Sequence, residues 1–96
     1  MNPAASQVWF VYMLECAGAR IYTGIALDVA ARYALHAAGR GAAFTRINPP
    51  QRLLAARACG SRSDATKTEI RLKRLSRADK LRWAAQWPWP ADAEAS

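Results

Sequence analysis

Histidine and cysteine are scarce in this chain: one histidine and two cysteines in 96 residues. That scarcity excludes a class of sites. Cys16 and Cys59 stand apart from any Cys-x-x-Cys pair, and one histidine does not complete a zinc set with them. Both read as buried small hydrophobes in a reducing cytoplasm, with a disulfide left open. Long apolar runs are missing too. The longest stretch of large apolar residues, Val8 to Leu14, is far too short to cross a bilayer, and no cationic secretory start precedes it. The expected location is the cytoplasm, with no membrane partner. Acid is also in short supply: seven Asp+Glu against fourteen Lys+Arg leave a formal charge of +7. In so small a chain, that excess favours a polyanionic partner over mere solubility, and nucleic acid is the commonest one. Nothing supplies a helix-turn-helix or zinc finger, so little sequence specificity is expected.

What is present fits one small α/β domain over residues 8–86. A frayed start (1–7) precedes it and a Trp/Pro-containing tail (87–96) follows. Val8 to Leu14 reads as a strand covered on both faces. A turn with Gly18 leads to a partner strand, Arg20 to Thr23, which Gly24 ends. Asp28 is the N-cap expected for a helix over 29–38, stopped by Gly39 and Gly41. Residues 40–51 read as a loop. Arg52 to Arg57 reads as a third strand, although its propensity suits a short helix equally well. Ser63 or Asp64 caps a helix to about Leu75. Ser76 with Asp79 opens another, ending near Gln86. The predicted order is β-β-α-β-α-α, on a small, mainly antiparallel or mixed three-stranded sheet flanked by helices. Trp87-Pro88-Trp89-Pro90 cannot continue a helix, and its rings can fold back over apolar surface or offer a patch to a protein partner.

Five side chains carry candidate chemistry. Tyr12 and Tyr22 sit on paired strands; two core tyrosines with satisfied hydroxyls are the plainer reading. Arg32 and His36 lie one helical turn apart. A guanidinium suits a phosphate, but Arg32 can equally pair with Asp28. His36 can exchange a proton near neutrality, or can simply be a solvated histidine. Glu69 and Asp79 are the only acids between Lys67 and Arg82, a segment with seven basic residues. A lone carboxylate there suits one Mg²⁺ or Mn²⁺, which fills its other positions with water and phosphate oxygens. It suits an i,i+4 pair with Lys73 just as well. Arg40, Arg46, Lys73, Arg77 and Lys80 are candidates for backbone contacts that position nucleic acid without reading sequence.

Taken jointly, these residues resemble the GIY-YIG nuclease superfamily, most of all its short stand-alone bacterial branch. Val11-Tyr12-Met13 stands where the family has Gly-Ile-Tyr, and Tyr22-Thr23-Gly24 where it has Tyr-Ile-Gly. Arg32, His36 and Glu69 fall where the family has its helical arginine, its histidine or tyrosine, and its metal-binding glutamate. Gly41-Ala-Ala-Phe-Thr-Arg46 and Glu69-Ile-Arg-Leu-Lys73 look like the same branch. The likeness covers about residues 8–82. It implies metal-dependent phosphodiester hydrolysis of DNA, or of RNA. Glu69 would hold one Mg²⁺ or Mn²⁺, Arg32 would clamp the phosphate, and a tyrosine helped by His36 would activate water. Two departures stand out. Ile25 replaces a lysine common after the second tripeptide, and no asparagine lies downstream near the metal position, since the chain has only Asn2 and Asn48. These departures suit the alternative, a weak or inactive nucleic-acid-binding domain on the same fold.

Overall fold

The computed structural model describes residues 8–89. The expected frayed start at 1–7, and the tail from Pro90 onward, lie outside the described residues. Three strands, β1 (Trp9–Cys16), β2 (Arg20–Ala26) and β3 (Pro50–Cys59), form one sheet in the order β2-β1-β3. Both pairings are antiparallel, so the parallel pair that a mixed sheet would need is absent among the described residues. Among the described residues a 3-10 turn (Ala17–Ala19) joins β1 to β2, and four α-helices complete the domain: α1 (Val29–Ala37), α2 (Ala43–Ile47), α3 (Arg62–Lys73) and α4 (Arg77–Gln86). β1 takes the central place because its continuous apolar run needs cover on both faces. Val11, Tyr12, Met13 and Leu14 are all buried.

The structure revises several local expectations. Gly24 does not end β2; it lies within the strand, opposite Tyr12. Residues 40–51 are not all loop, because α2 occupies five of them. One turn of helix leaves no periodic signal in sequence, and this one is held by contacts to α1 rather than by propensity. The helix-or-strand ambiguity at Arg52 to Arg57 resolves as strand, since pairing with β1 overrides local preference. The cap of α3 is Ser61 rather than Ser63 or Asp64: its hydroxyl accepts the Asp64 N–H at 3.0 Å. Asp28 caps α1 through Ala31 N–H at 3.0 Å, and Ser76 caps α4 through Asp79 N–H at 3.1 Å, as expected. Each such cap is worth about 1 kcal/mol.

Pairing register sorts the side chains onto two faces. Tyr12 opposes Gly24 and Leu14 opposes Tyr22, while Val11 opposes Ile25 and Met13 opposes Thr23. Val11 and Met13 pack with Ala55, Leu72, Ala84 and Trp83, beneath α3 and α4. Tyr12, Leu14 and Cys16 pack with Val29 and Tyr33, beneath α1. Cys16 is buried and Cys59 partly so, and both are free thiols. After α4 the chain turns back along β3. Ala56 N–H donates to Trp87 C=O and Trp89 N–H donates to Leu54 C=O, both at 3.1 Å. Arg57 places its guanidinium 5.1 Å from the Trp87 ring centre. Residues 87–89 thus cover part of the sheet edge that β3 would otherwise leave open.

Candidate active site

The site grows from one close approach. Tyr12 points from the central strand toward α1, and its ring lies across Gly24. A Cβ on Gly24 would stand 2.8 Å from the Tyr12 hydroxyl and 2.9 Å from the Tyr22 ring. Only glycine lets both phenol rings share this stretch of β2. The Tyr12 hydroxyl then meets His36 Nε2 at 2.8 Å. His36 is not the solvated surface histidine that its helix position allowed; it is 1% exposed. Gly41 makes that burial possible, because the imidazole lies where any Cβ on Gly41 would be.

The other imidazole nitrogen fixes the direction of the chain. His36 Nδ1 meets Thr45 Oγ1 at 2.8 Å, and that hydroxyl lies 2.9 Å from Ala42 C=O. A carbonyl only accepts, so the single hydroxyl proton of Thr45 goes to Ala42. Thr45 must therefore accept from His36 Nδ1–H. In the neutral ring Nε2 is then the acceptor, and Tyr12 O–H donates to it. The sequence of bonds runs one way: Tyr12 to His36 to Thr45 to the Ala42 carbonyl. Tyr22 flanks the ring at 5.0 Å between centres, and Phe44 of α2 flanks Tyr22 at 5.8 Å.

The two remaining candidates, Arg32 and Glu69, act on Tyr12 through their charges. Burial drives the Tyr12 pKa far above its ordinary 10.0, helped by the charge that Tyr22 would carry. Arg32 approaches the Tyr12 hydroxyl closely enough to work against that rise, and the negative charge of Glu69 works with it. Burial, then the Arg32 charge, depresses the His36 pKa below its ordinary 6.5. At neutral pH the pair is thus a neutral phenol donating to a neutral imidazole. The Asp28 carboxylate serves as a helix cap, and the structure shows no Arg32–Asp28 ion pair among the described residues. The exposed Arg32 instead borders an open hollow of about 420 Å³, together with Trp9, Leu35 and Arg62.

Of the two expectations for Glu69, the i,i+4 pair is the one the structure displays. Glu69 pairs with Lys73 at 3.3 Å, and its charge is felt at Tyr12. No group of three or more His, Cys, Asp or Glu gathers among the described residues. A single oxygen donor of this kind fits a hard Mg²⁺ or Mn²⁺ ion that keeps most of its waters; it does not fit zinc. The proposed backbone contacts divide. Arg40 and Arg46 are exposed on either side of Thr45, and Lys73 is tied to Glu69. Arg77 Nε donates to Ala19 C=O at 2.8 Å, and Arg77 and Lys80 border a separate hollow with Phe44. Sequence reasoning missed Gly41, Thr45 and Arg62 as parts of the site. The family likeness of Gly41-Ala-Ala-Phe-Thr-Arg46 was the signal that pointed toward the first two, without assigning them a role.

A three-stranded antiparallel sheet with a tyrosine–histidine pair beneath its first helix is the architecture that the family resemblance implies. The chain belongs to the GIY-YIG family, whose catalytic-domain model matches residues 8–82. It is 48% identical over 82 residues to a UPF0213 protein of Cupriavidus pinatubonensis, covering 85% of this chain and 91% of that one. A UPF0213 protein of Xanthomonas axonopodis is 40% identical over 95 residues, covering 93% of each chain. The solution NMR structure of a UPF0213 protein from Bacillus halodurans matches with a TM-score of 0.54 at 38% identity, covering 88% of this chain and 89% of that one. The family implies a nucleic-acid substrate. No helix among the described residues is long and apolar enough to cross a membrane.

Proposed function

We propose that the protein hydrolyses phosphodiester bonds in nucleic acid, with little sequence specificity, DNA being the first substrate to test. One divalent ion, Mg²⁺ or Mn²⁺, would be held by Glu69. The observation that carries this reading is the directional bond series from Tyr12 through His36 to Thr45, which begins at a hydroxyl that feels the charges of Arg32 and Glu69.

Arg32 binds the scissile phosphate through its planar fork and opposes the charge that gathers there. The attacking water sits against the Tyr12 hydroxyl. Its proton moves to the Tyr12 oxygen as the Tyr12 proton moves to His36 Nε2, so no free phenolate forms. That concerted path answers the raised Tyr12 pKa, and His36 is the terminal base. The water oxygen bonds to phosphorus, the ester P–O bond breaks, and the leaving oxygen takes a proton from solvent. Thr45 is a positioning residue: its committed hydroxyl keeps Nδ1 protonated and Nε2 open. Tyr22 screens the imidazole from water. When bound, the ion supplies positive charge for the leaving oxygen and the phosphate.

A second reading, a nucleic-acid binder without catalysis, is favoured by the Glu69–Lys73 ion pair, which occupies the one carboxylate a metal would use. A nicking assay on supercoiled plasmid with Mg²⁺, Mn²⁺ or EDTA separates the two. Metal-dependent nicking that disappears in Glu69→Gln is expected. Salt-sensitive binding with no cutting in any metal would establish the binder instead.

A further inference from the structure

A hollow of about 400 Å³ opens beside Tyr22, bordered by Gly18, Ala19, Arg20, Ile21, Phe44, Arg77 and Lys80. We propose that it receives an unpaired nucleotide adjoining the cleaved bond, with the base stacked on Phe44 and its phosphate held by Arg77 and Lys80. The proposal rests on the nuclease reading for the word "adjoining" alone.

Position is the first argument. His36, Tyr22 and Phe44 form a continuous aromatic string, with centres 5.0 Å and then 5.8 Å apart, and the hollow begins where the string ends. Phe44 is a large apolar ring left 37% exposed among cations. An isolated exposed aromatic is ordinary, but this one shares a five-residue helix with Thr45. The helix therefore turns one side chain to the buried imidazole and the next to the hollow. The volume lies within the range of small-ligand pockets, roughly 300–1,000 Å³.

Charge is the second argument. Arg20, Arg77 and Lys80 are the titratable side chains of the wall, which holds no acid. Asp79, next to Lys80 in sequence, is engaged by Arg82.

The turn between β1 and β2 is strained. Ala19 adopts φ 59°, a left-handed conformation that is costly for a residue with a Cβ. Its carbonyl is the acceptor of Arg77 Nε at 2.8 Å, across 58 residues of sequence. Strain of this kind persists where surrounding structure enforces it. With Nε so engaged, the Nη groups of Arg77 remain for a phosphate. An aromatic face beside ordered cations binds a base that is out of its duplex, because a paired base has no free face to stack.

The test uses Glu69→Gln protein in EDTA, so that binding is read without cleavage. Fluorescence anisotropy compares a blunt DNA duplex with the same duplex bearing a short unpaired overhang. A 2-aminopurine in the overhang reports stacking. Binding to the overhang substrate about tenfold tighter is expected, with quenched 2-aminopurine. Phe44→Ala should abolish both the preference and the quenching, while Phe44→Tyr keeps them and shows that the fold is intact. Arg77→Ala should weaken binding and flatten its salt dependence. Equal affinity for the two substrates, or a preference and quench that survive Phe44→Ala, would overturn the proposal. Absence of nicking by the wild-type protein alongside an intact preference would count against the nuclease reading and in favour of this one.

Discussion

The two faces of the sheet are built on opposite principles. Beneath α3 and α4, Val11, Met13, Ala55, Leu72 and Ala84 make a dry contact with almost no directional bonding. The Thr23 hydroxyl is buried there without a partner among the described residues. Beneath α1 and α2 every polar group of the buried series is engaged, and glycines stand where a Cβ would strike a ring. The first face tolerates any shape-compatible apolar set, because burial is non-directional. The second accepts one arrangement only, because each hydrogen bond fixes the donor of the next. Both faces bury apolar side chains, and only the second adds chemical orientation.

The comparison breaks most sharply at Gly41. Gly41→Ala would push His36 out of its place, and nicking should fall at least about 100-fold. A loss of stability of about 1–3 kcal/mol should accompany it, read from urea unfolding. Met13→Ala addresses the dry face. It should cost about 2–5 kcal/mol in the same titration, while the folded fraction keeps its pH profile. If the folded fraction of Met13→Ala loses nicking as Gly41→Ala does, the division of labour between faces is wrong.

Thr45→Val removes the acceptor of His36 Nδ1–H but keeps the volume. A fall in cleavage rate of about 10- to 100-fold is expected, with Thr45→Ser restoring most of it. Because the variant frees Nδ1 to act as acceptor, ¹⁵N chemical shifts of the imidazole should show the Nε2–H tautomer growing in. An unchanged tautomer would remove Thr45 from its positioning role.

pH distinguishes the faces without mutation. The His36 pKa is depressed below 6.5, so below that pH the unfolded chain binds a proton that the folded ring refuses. Stability should fall as pH drops from 6.5 toward the folded value. Tyr12 is raised above 10.0, so above that pH the unfolded chain loses a proton the folded phenol keeps, and stability should fall again as pH rises. Urea midpoints across pH should show both arms, with Tyr12→Phe flattening the alkaline one. Cleavage should rise with pH through the depressed His36 pKa and be level by neutrality. The smallest effect belongs to Thr23→Val. Removing the unpaired hydroxyl at constant shape should raise stability by about 1 kcal/mol and leave cleavage unchanged.

Much of this was legible in sequence because it rests on local signals. The apolar run of β1 demanded a central strand. Asp28 and Ser76 marked helix starts, and an order of elements followed from breakers and periodicity. Tyr12, Tyr22, Arg32, His36 and Glu69 were legible as candidates because their types carry chemistry and their spacing carried a family likeness. The local misses have physical causes. Gly24 looked like a strand end because a glycine in a strand has no local explanation; its reason is the Tyr12 ring crossing from the neighbouring strand. α2 was invisible because one helical turn has no period to detect.

By itself, then, the chain's sequence determined most of the elements, the net charge and the set of reactive groups, since these depend on neighbours within a few residues; α2 and the strand state of Arg52–Arg57 were exceptions. Tertiary structure alone decided that His36 is buried and neutral, that its proton sits on Nδ1, and that Gly41 and Thr45 belong to the site. Those facts depend on distances between groups far apart in sequence, and a hydrogen bond or a steric overlap is settled within a few tenths of an ångström that no pattern of residues specifies.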